Sequence, residues 1–139
     1  MEELFAYALV LSEGYDFWDE YYEIIDRLFM KYPDNEEYLR LEEISSEKDA
    51  ILHMLSMMNS AVIEKNVLGK TLMNCFKKIY NEIDLKEFSR KTYSIWNKLP
   101  SELIQEEPFW TFDYANECLT YGDEEQCRIL YDRALNYYE

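Results

Sequence analysis

The chain has 139 residues, 48% of them apolar and 17% aromatic, and its 29 acids against 14 bases give a formal net charge of -15. That length suits a single domain, 1–139, able to bury a core, and the apolar content argues against disorder in spite of the charge. So large an acidic excess disfavours direct nucleic-acid binding, which rests on neutralising phosphates. With only three glycines and three prolines, the chain has few of the residues that tight turns require. An all-α fold of about seven to eight antiparallel helices with short connections follows. No apolar run approaches the roughly 20 residues of a bilayer span. Met1-Glu-Glu-Leu-Phe carries acids where a secretory signal carries bases. The expectation is a cytoplasmic protein with no membrane partner.

In chain order, the nearly apolar stretch Leu4 to Ser12 predicts a first helix that stops near Gly14. A second, Tyr15 to Tyr32, places Phe17, Tyr21, Ile24, Ile25, Leu28 and Tyr32 inward and ends at Pro33, because the residue before a proline is pushed out of the helical region. Asp34 and Glu37 have capping-box spacing for a third helix with Tyr38, Leu41 and Ile44 on one side. Ser46 and Asp49 start a fourth, Glu47 to about Glu64, so apolar on every side that a central position is expected. Its methionines, with Met73, predict a Met-filled core. The fifth helix, Asn66 to Ile83, buries Leu68, Leu72, Cys75, Phe76, Ile79 and Ile83. The sixth, capped by Asp84 and Glu87, buries Leu85, Phe88, Thr92, Ile95, Trp96 and Leu99 before Pro100. A short helical turn is expected over 101–105, with Pro108 at the first position of the seventh helix. After Gly122, Asp123 and Gln126 cap an eighth whose apolar stripe is Cys127, Leu130, Tyr131, Ala134, Leu135 and Tyr138.

Phe5-Ala-Tyr-Ala near the start matches Phe112-Asp-Tyr-Ala near the end, and each precedes a glycine and an amphipathic helix carrying an Asp-Arg pair, Asp26-Arg27 or Asp132-Arg133. Lys31-Tyr-Pro33 and Lys98-Leu-Pro100 lie 67 residues apart. These marks divide the chain into four helical hairpins, 1–34, 35–66, 67–100 and 101–139. Tyr32-Pro-Asp-Asn35 and the run Arg128-Ile-Leu-Tyr-Asp-Arg-Ala-Leu135 resemble tetratricopeptide and half-a-TPR repeats, best at residues 1–35 and 109–139. The resemblance implies helix–turn–helix units of about 34 residues and a protein-binding habit. A TPR-like right-handed array and a compact helical bundle are the two architectures that it leaves open.

Charge is banded. Residues 1–64 hold 16 acids and 4 bases, 65–98 hold 3 acids and 8 bases, and 99–139 hold 10 acids and 2 bases. Acids beside tyrosines suit a face that steers a basic protein and gives it rigid contact area. The candidate partner-binding residues are Tyr15, Asp16, Asp19, Glu20, Tyr22, Glu23, Glu36, Glu37 and Glu43. Tyr15, Tyr22, Tyr137 and Tyr138 are the tyrosines expected to be least buried. A homodimer in which a basic band meets an acidic one is a further consequence of the banding.

No phosphate loop, nucleophile elbow or Cys/His cluster is present. Cys75, Cys118 and Cys127 read as buried free thiols, so no catalytic residue, cofactor or metal is expected. The leading reading is a non-enzymatic, acidic interaction module, of which an immunity protein or antitoxin covering a basic toxin is one form. A helical adaptor and a nucleic-acid-mimicking inhibitor are alternatives. The enzyme alternative would gather Asp16, Glu20 and Glu23 with Asp49 and His53 into a carboxylate–histidine metal site. Asp49 and His53 share a helix face at i, i+4 spacing, and this is the only histidine in the chain.

Overall fold

The computed structural model describes residues 1–139 and contains eight helices and no strand. They are α1 (Glu2–Ser12), α2 (Trp18–Lys31), α3 (Glu36–Glu43), α4 (Glu47–Ser60), α5 (Lys65–Tyr80), α6 (Leu85–Lys98), α7 (Thr111–Thr120) and α8 (Glu124–Leu135). The helices form two compact units, residues 1–64 and 65–139.

In residues 1–64, α1 packs against both α2 and α4, and α2 packs against α3. The most buried helix is α1, with Leu4, Phe5, Ala6 and the run Ala8 to Leu11 inside. This corrects the central place expected for α4. Only Ala50, Met54 and Met58 of α4 are buried, one i, i+4, i+8 stripe, and Leu52 is 55% exposed. A helix whose main neighbour is α1 has one side covered, whatever the polarity of the others. Met54 and Met58 of α4 and Met73 of α5 are buried, and Met57 is half-buried. The helix also ends at Ser60, short of Glu64, and Val62 beyond it is wholly exposed.

Other boundaries shift for local reasons. Asn35, not Asp34, caps α3, its side chain accepting from the amides of Glu37 and Tyr38 at 3.0 and 3.2 Å. Tyr15 and Asp16 lie before α2, and Asp16 accepts from the Trp18 amide at 3.4 Å. Tyr32 is 46% exposed rather than inside, and Leu28, Ile44 and Ile83 are half-buried. α5 stops at Tyr80. Residues 101–110 form successive turns with a cis Glu107–Pro108 bond, and α7 starts at Thr111. The amides of Thr111, Phe112 and Asp113 bond to the carbonyls of Pro108, Phe109 and Trp110 in an i to i+3 pattern, tighter than an α-helix. The expected caps Ser46, Asp84 and Asp123 all accept from the amide three residues on, at 3.3, 2.8 and 3.1 Å.

The likeness between the two ends of the chain has a structural counterpart. Phe5 and Ala8 of α1 are buried, as are Phe112 and Ala115 of α7. Gly14 and Gly122 follow these helices at φ +90° and +85°. After α1, the amides of Gly14 and Tyr15 bond back to Leu11 and Val10, and after α7 those of Gly122 and Asp123 bond to Leu119 and Cys118. Both are Schellman terminations, which the left-handed region reserves largely for glycine.

Residues 65–139 form a closed ring of contacts, α5 on α6, α6 on α7, α7 on α8, and α8 back on α5. The helix packing does not display a tetratricopeptide repeat, and α4 packs principally on α1 rather than pairing with α3. At the centre of the ring the Tyr131 ring stands edge-on to Phe88 at 4.9 Å and 6.0 Å from Phe112, which meets Phe76 at 5.0 Å. The turn after α8 also meets α5, where Tyr138 lies over Gly69. A Cβ added there would fall 2.0 Å from the Tyr138 hydroxyl oxygen and 2.7 Å from its ring. Gly69→Ala should therefore unseat Tyr138 and destabilise residues 65–139 by about 1–3 kcal/mol. In a Tyr138→Ala background the same change should be neutral or stabilising, because alanine is the better helix former. Urea unfolding of the four proteins checks this, and an equal loss in both backgrounds would refute the contact as the cause.

Candidate functional site

The acids predicted to meet a partner are carried by α2 and α3 and by the loop before α2. Asp19 and Glu23 are exposed on α2, Glu20 is half-buried, and Tyr22 is 45% exposed, its ring 5.8 Å from Trp18 and 5.2 Å from Tyr21. Glu36 and Glu43 are exposed on α3. Because α2 packs on α3, both sets belong to one pair of helices. Tyr15 and Asp16 stand outside the helix they were expected to share with Glu20. Glu37 turns to α4, where its Oε2 lies 3.2 Å from Nε2 of His53. Tyr15 and Tyr138 are half-buried, Tyr137 is 46% exposed, and the most exposed tyrosine is Tyr121 at 81%.

Two acids that spacing does not single out complete the pair. Glu42 of α3 is hydrogen-bonded to Asp26 of α2, 16 residues away in sequence. Partial burial of its carboxyl, then this bond and the negative charge of Asp26, push Glu42 up to about 7. Beneath them, burial raises the Tyr21 hydroxyl to about 12, with Tyr22 and Glu42 adding to the effect.

The carboxylate–histidine cluster of the enzyme alternative does not assemble. His53 takes Glu37 as its partner, Asp16 lies in the loop before α2 and accepts from the Trp18 amide, and no three His, Cys, Asp or Glu side chains gather in a way that could hold a metal. None of the three cysteines is in a disulfide. Cys75 and Cys127 are buried and Cys118 half-buried. Burial pushes the Cys127 thiol up to about 11, so it is not a thiolate near neutral pH.

A second site, missed by sequence reasoning, is a cleft of about 870 Å³ between the N-terminal half of α6, the C-terminal half of α7 and the start of α8. Ser89, 1% exposed, donates to Asn116 Oδ1 at 3.0 Å and so joins α6 to α7 at its lining. Arg128 holds Glu124 at 2.9 and 3.2 Å on the α8 side. Asp84, Lys86 and Arg90 supply the remaining charge and Leu85 and Leu119 the apolar surface that the cleft presents. The sequence signal for it was the basic band of residues 65–98, but Arg128 and Asn116 come from helices outside that band.

No protein-family model matches the chain, and comparisons with curated proteins and with solved structures find no match.

Raising a carboxyl's value in the folded state favours its neutral form there. Glu42 therefore contributes stability that is full below its ordinary 4.5 and is lost as pH rises through about 7. Between about pH 5 and about pH 8 the melting temperature of the native protein should fall more than that of Glu42→Gln, which keeps the bond to Asp26 without a titrating proton. Thermal denaturation followed by circular dichroism at both pH values measures the difference, and parallel behaviour of the two proteins would exclude the pair as its source.

Proposed function

We propose that this chain is a non-enzymatic interaction module whose α2–α3 face binds a basic protein. One observation carries the reading: two helices packed on each other expose Asp19, Glu23, Glu36 and Glu43, and α2 exposes the ring of Tyr22 as well. These acids lie in a unit, residues 1–64, that holds 16 acids and 4 bases. Their field would raise the rate of encounter with a cationic surface, and the tyrosine would add contact area at small entropic cost. Neutralising a basic toxin, as an immunity protein or antitoxin does, is the specific form that best suits a small acidic chain of this kind. The adaptor reading shares the same face and differs only in what is bound. Association of two copies through acidic and basic bands is the homotypic version.

The test is recovery of partners from the native source on immobilised protein, native against an Asp19→Asn, Glu23→Gln, Glu36→Gln variant. All three positions are exposed, so the variant should keep its fold. The native protein should retain a basic protein, and the variant should bind that protein about tenfold or more weakly, with most of the loss in association rate at low salt. A partner that is acidic, or that is held equally by the variant, would overturn the proposal. Sedimentation at low and high salt reads the homotypic form separately, and a monomer under both conditions rules it out.

A further inference from the structure

The cleft of residues 65–139 has the opposite character to the α2–α3 face. Its volume of about 870 Å³ lies within the range of roughly 300–1,000 Å³ typical of small-molecule sites. Two acids line it, Asp84 and Glu124, against three cations, Lys86, Arg90 and Arg128, and only Glu124 has its charge paired. Asp84 Oδ1 accepts from the Glu87 amide at 2.8 Å, and Glu124 Oε1 accepts from Arg128. The cations are less committed. Arg90 is 68% exposed and reaches only Glu87, at 4.0 Å, and the Lys86 ammonium has no carboxylate within salt-bridge distance. Asn116 has its amide oxygen occupied by Ser89, which fixes the amide's orientation and leaves its NH₂ as the donating side. Leu85 and Leu119 provide apolar surface beside these groups.

We propose that this cleft is a binding site for a small organic anion carrying carboxylate or phosphate groups, held by Arg90 and Lys86 with the Asn116 amide as a neutral donor. Arginine and lysine recognise oxyanions through charge-assisted hydrogen bonds, and the two leucines would cover a short hydrocarbon or ring portion. The -15 charge of the chain works in favour of the test. It repels anions from the surface at large, so any that bind must do so through a local cationic site.

Citrate and adenosine 5′-monophosphate serve as a carboxylate and a phosphate probe, titrated into the whole chain at low ionic strength and followed by amide chemical shifts and calorimetry. At least one probe should bind, with shifts concentrated at residues 84–90, 116–120 and 124–128. Arg90→Ala and Lys86→Ala, both at exposed positions, should each weaken binding about tenfold, as expected for loss of one charge-assisted bond. Lys70→Ala, at an exposed α5 position that does not line the cleft, should leave it unchanged. Preference for citrate identifies the carboxylate form of the ligand, and preference for the nucleotide identifies the phosphate form. The proposal fails if neither probe binds below about 10 mM, if the shifts spread beyond the cleft, or if Lys70→Ala weakens binding as much as Arg90→Ala.

Discussion

The interlock of aromatic rings around Tyr131 is the constraint on which the second unit depends. One ring on α8 touches Phe88 of α6 and Phe112 of α7, and Tyr80 of α5 approaches both Phe88, at 4.8 Å, and Tyr131, at 5.9 Å. Burial of Tyr131 holds its hydroxyl well above the usual tyrosine range, so the ring stays neutral within the cluster. The edge-to-face contacts of Tyr131 with Phe88 and Tyr80 fix relative orientation as well as distance, because a rotated ring loses the favourable alignment of its quadrupole. The helices whose ends form the cleft are the same ones that this cluster clamps. Ser89 illustrates the coupling, since it is one residue from Phe88 and makes the bond to Asn116 at the cleft.

The first unit is organised by a different economy of contacts. α1 offers small and apolar residues on every side, so α2 and α4 can both lie against it. Helices arranged around a central one need only a single apolar stripe each, and their remaining surface is free for charge. That is the case on α2 and α3, where the buried residues are few and the acids line the outside. The exposed ion pair of Arg27 with Glu3, at 3.1 Å, links α1 to α2 but lies in water, where such pairs contribute little. The packing of Tyr21, Ile24 and Ile25, rather than charge, holds α2 in place.

The helical content, most of the core and the caps at Ser46, Asp84 and Asp123 were legible in the sequence because they are local. A 3.6-residue stripe and a side chain three positions from its amide involve one helix each. The two glycine terminations were legible for the same reason. The place of α4 was not, since polarity reports how much of a helix can be buried and not how many neighbours it acquires. The start of α7 at Thr111 was missed because Pro108 is compatible with a first helical position as well as with a turn. At the sites, the acids of α2 and α3 could be picked out one by one, whereas the meeting of Asp26 with Glu42 and of Glu37 with His53 depends on how helices pack. The cleft was hidden for that reason too, its charged and polar residues being drawn from three helices.

Net charge is therefore a poor guide to what either surface can recognise, and the engagement of each charged group is a better one. On α2 and α3 the carboxyl of Glu42 is raised to about 7 and bonded to Asp26, while Asp19, Glu23 and Glu36 stand apart in water. In the cleft Glu124 is paired with the Arg128 guanidinium, and Lys86 and Arg90 outnumber Asp84, whose bond from an amide leaves its charge in place, although the chain as a whole is strongly negative. Pairing of a charge with a neighbour removes most of its field beyond a Debye length of about 8–10 Å. What a diffusing partner meets is then the unpaired remainder, and by that measure the chain presents an acidic helix pair in one unit and a cationic cleft in the other.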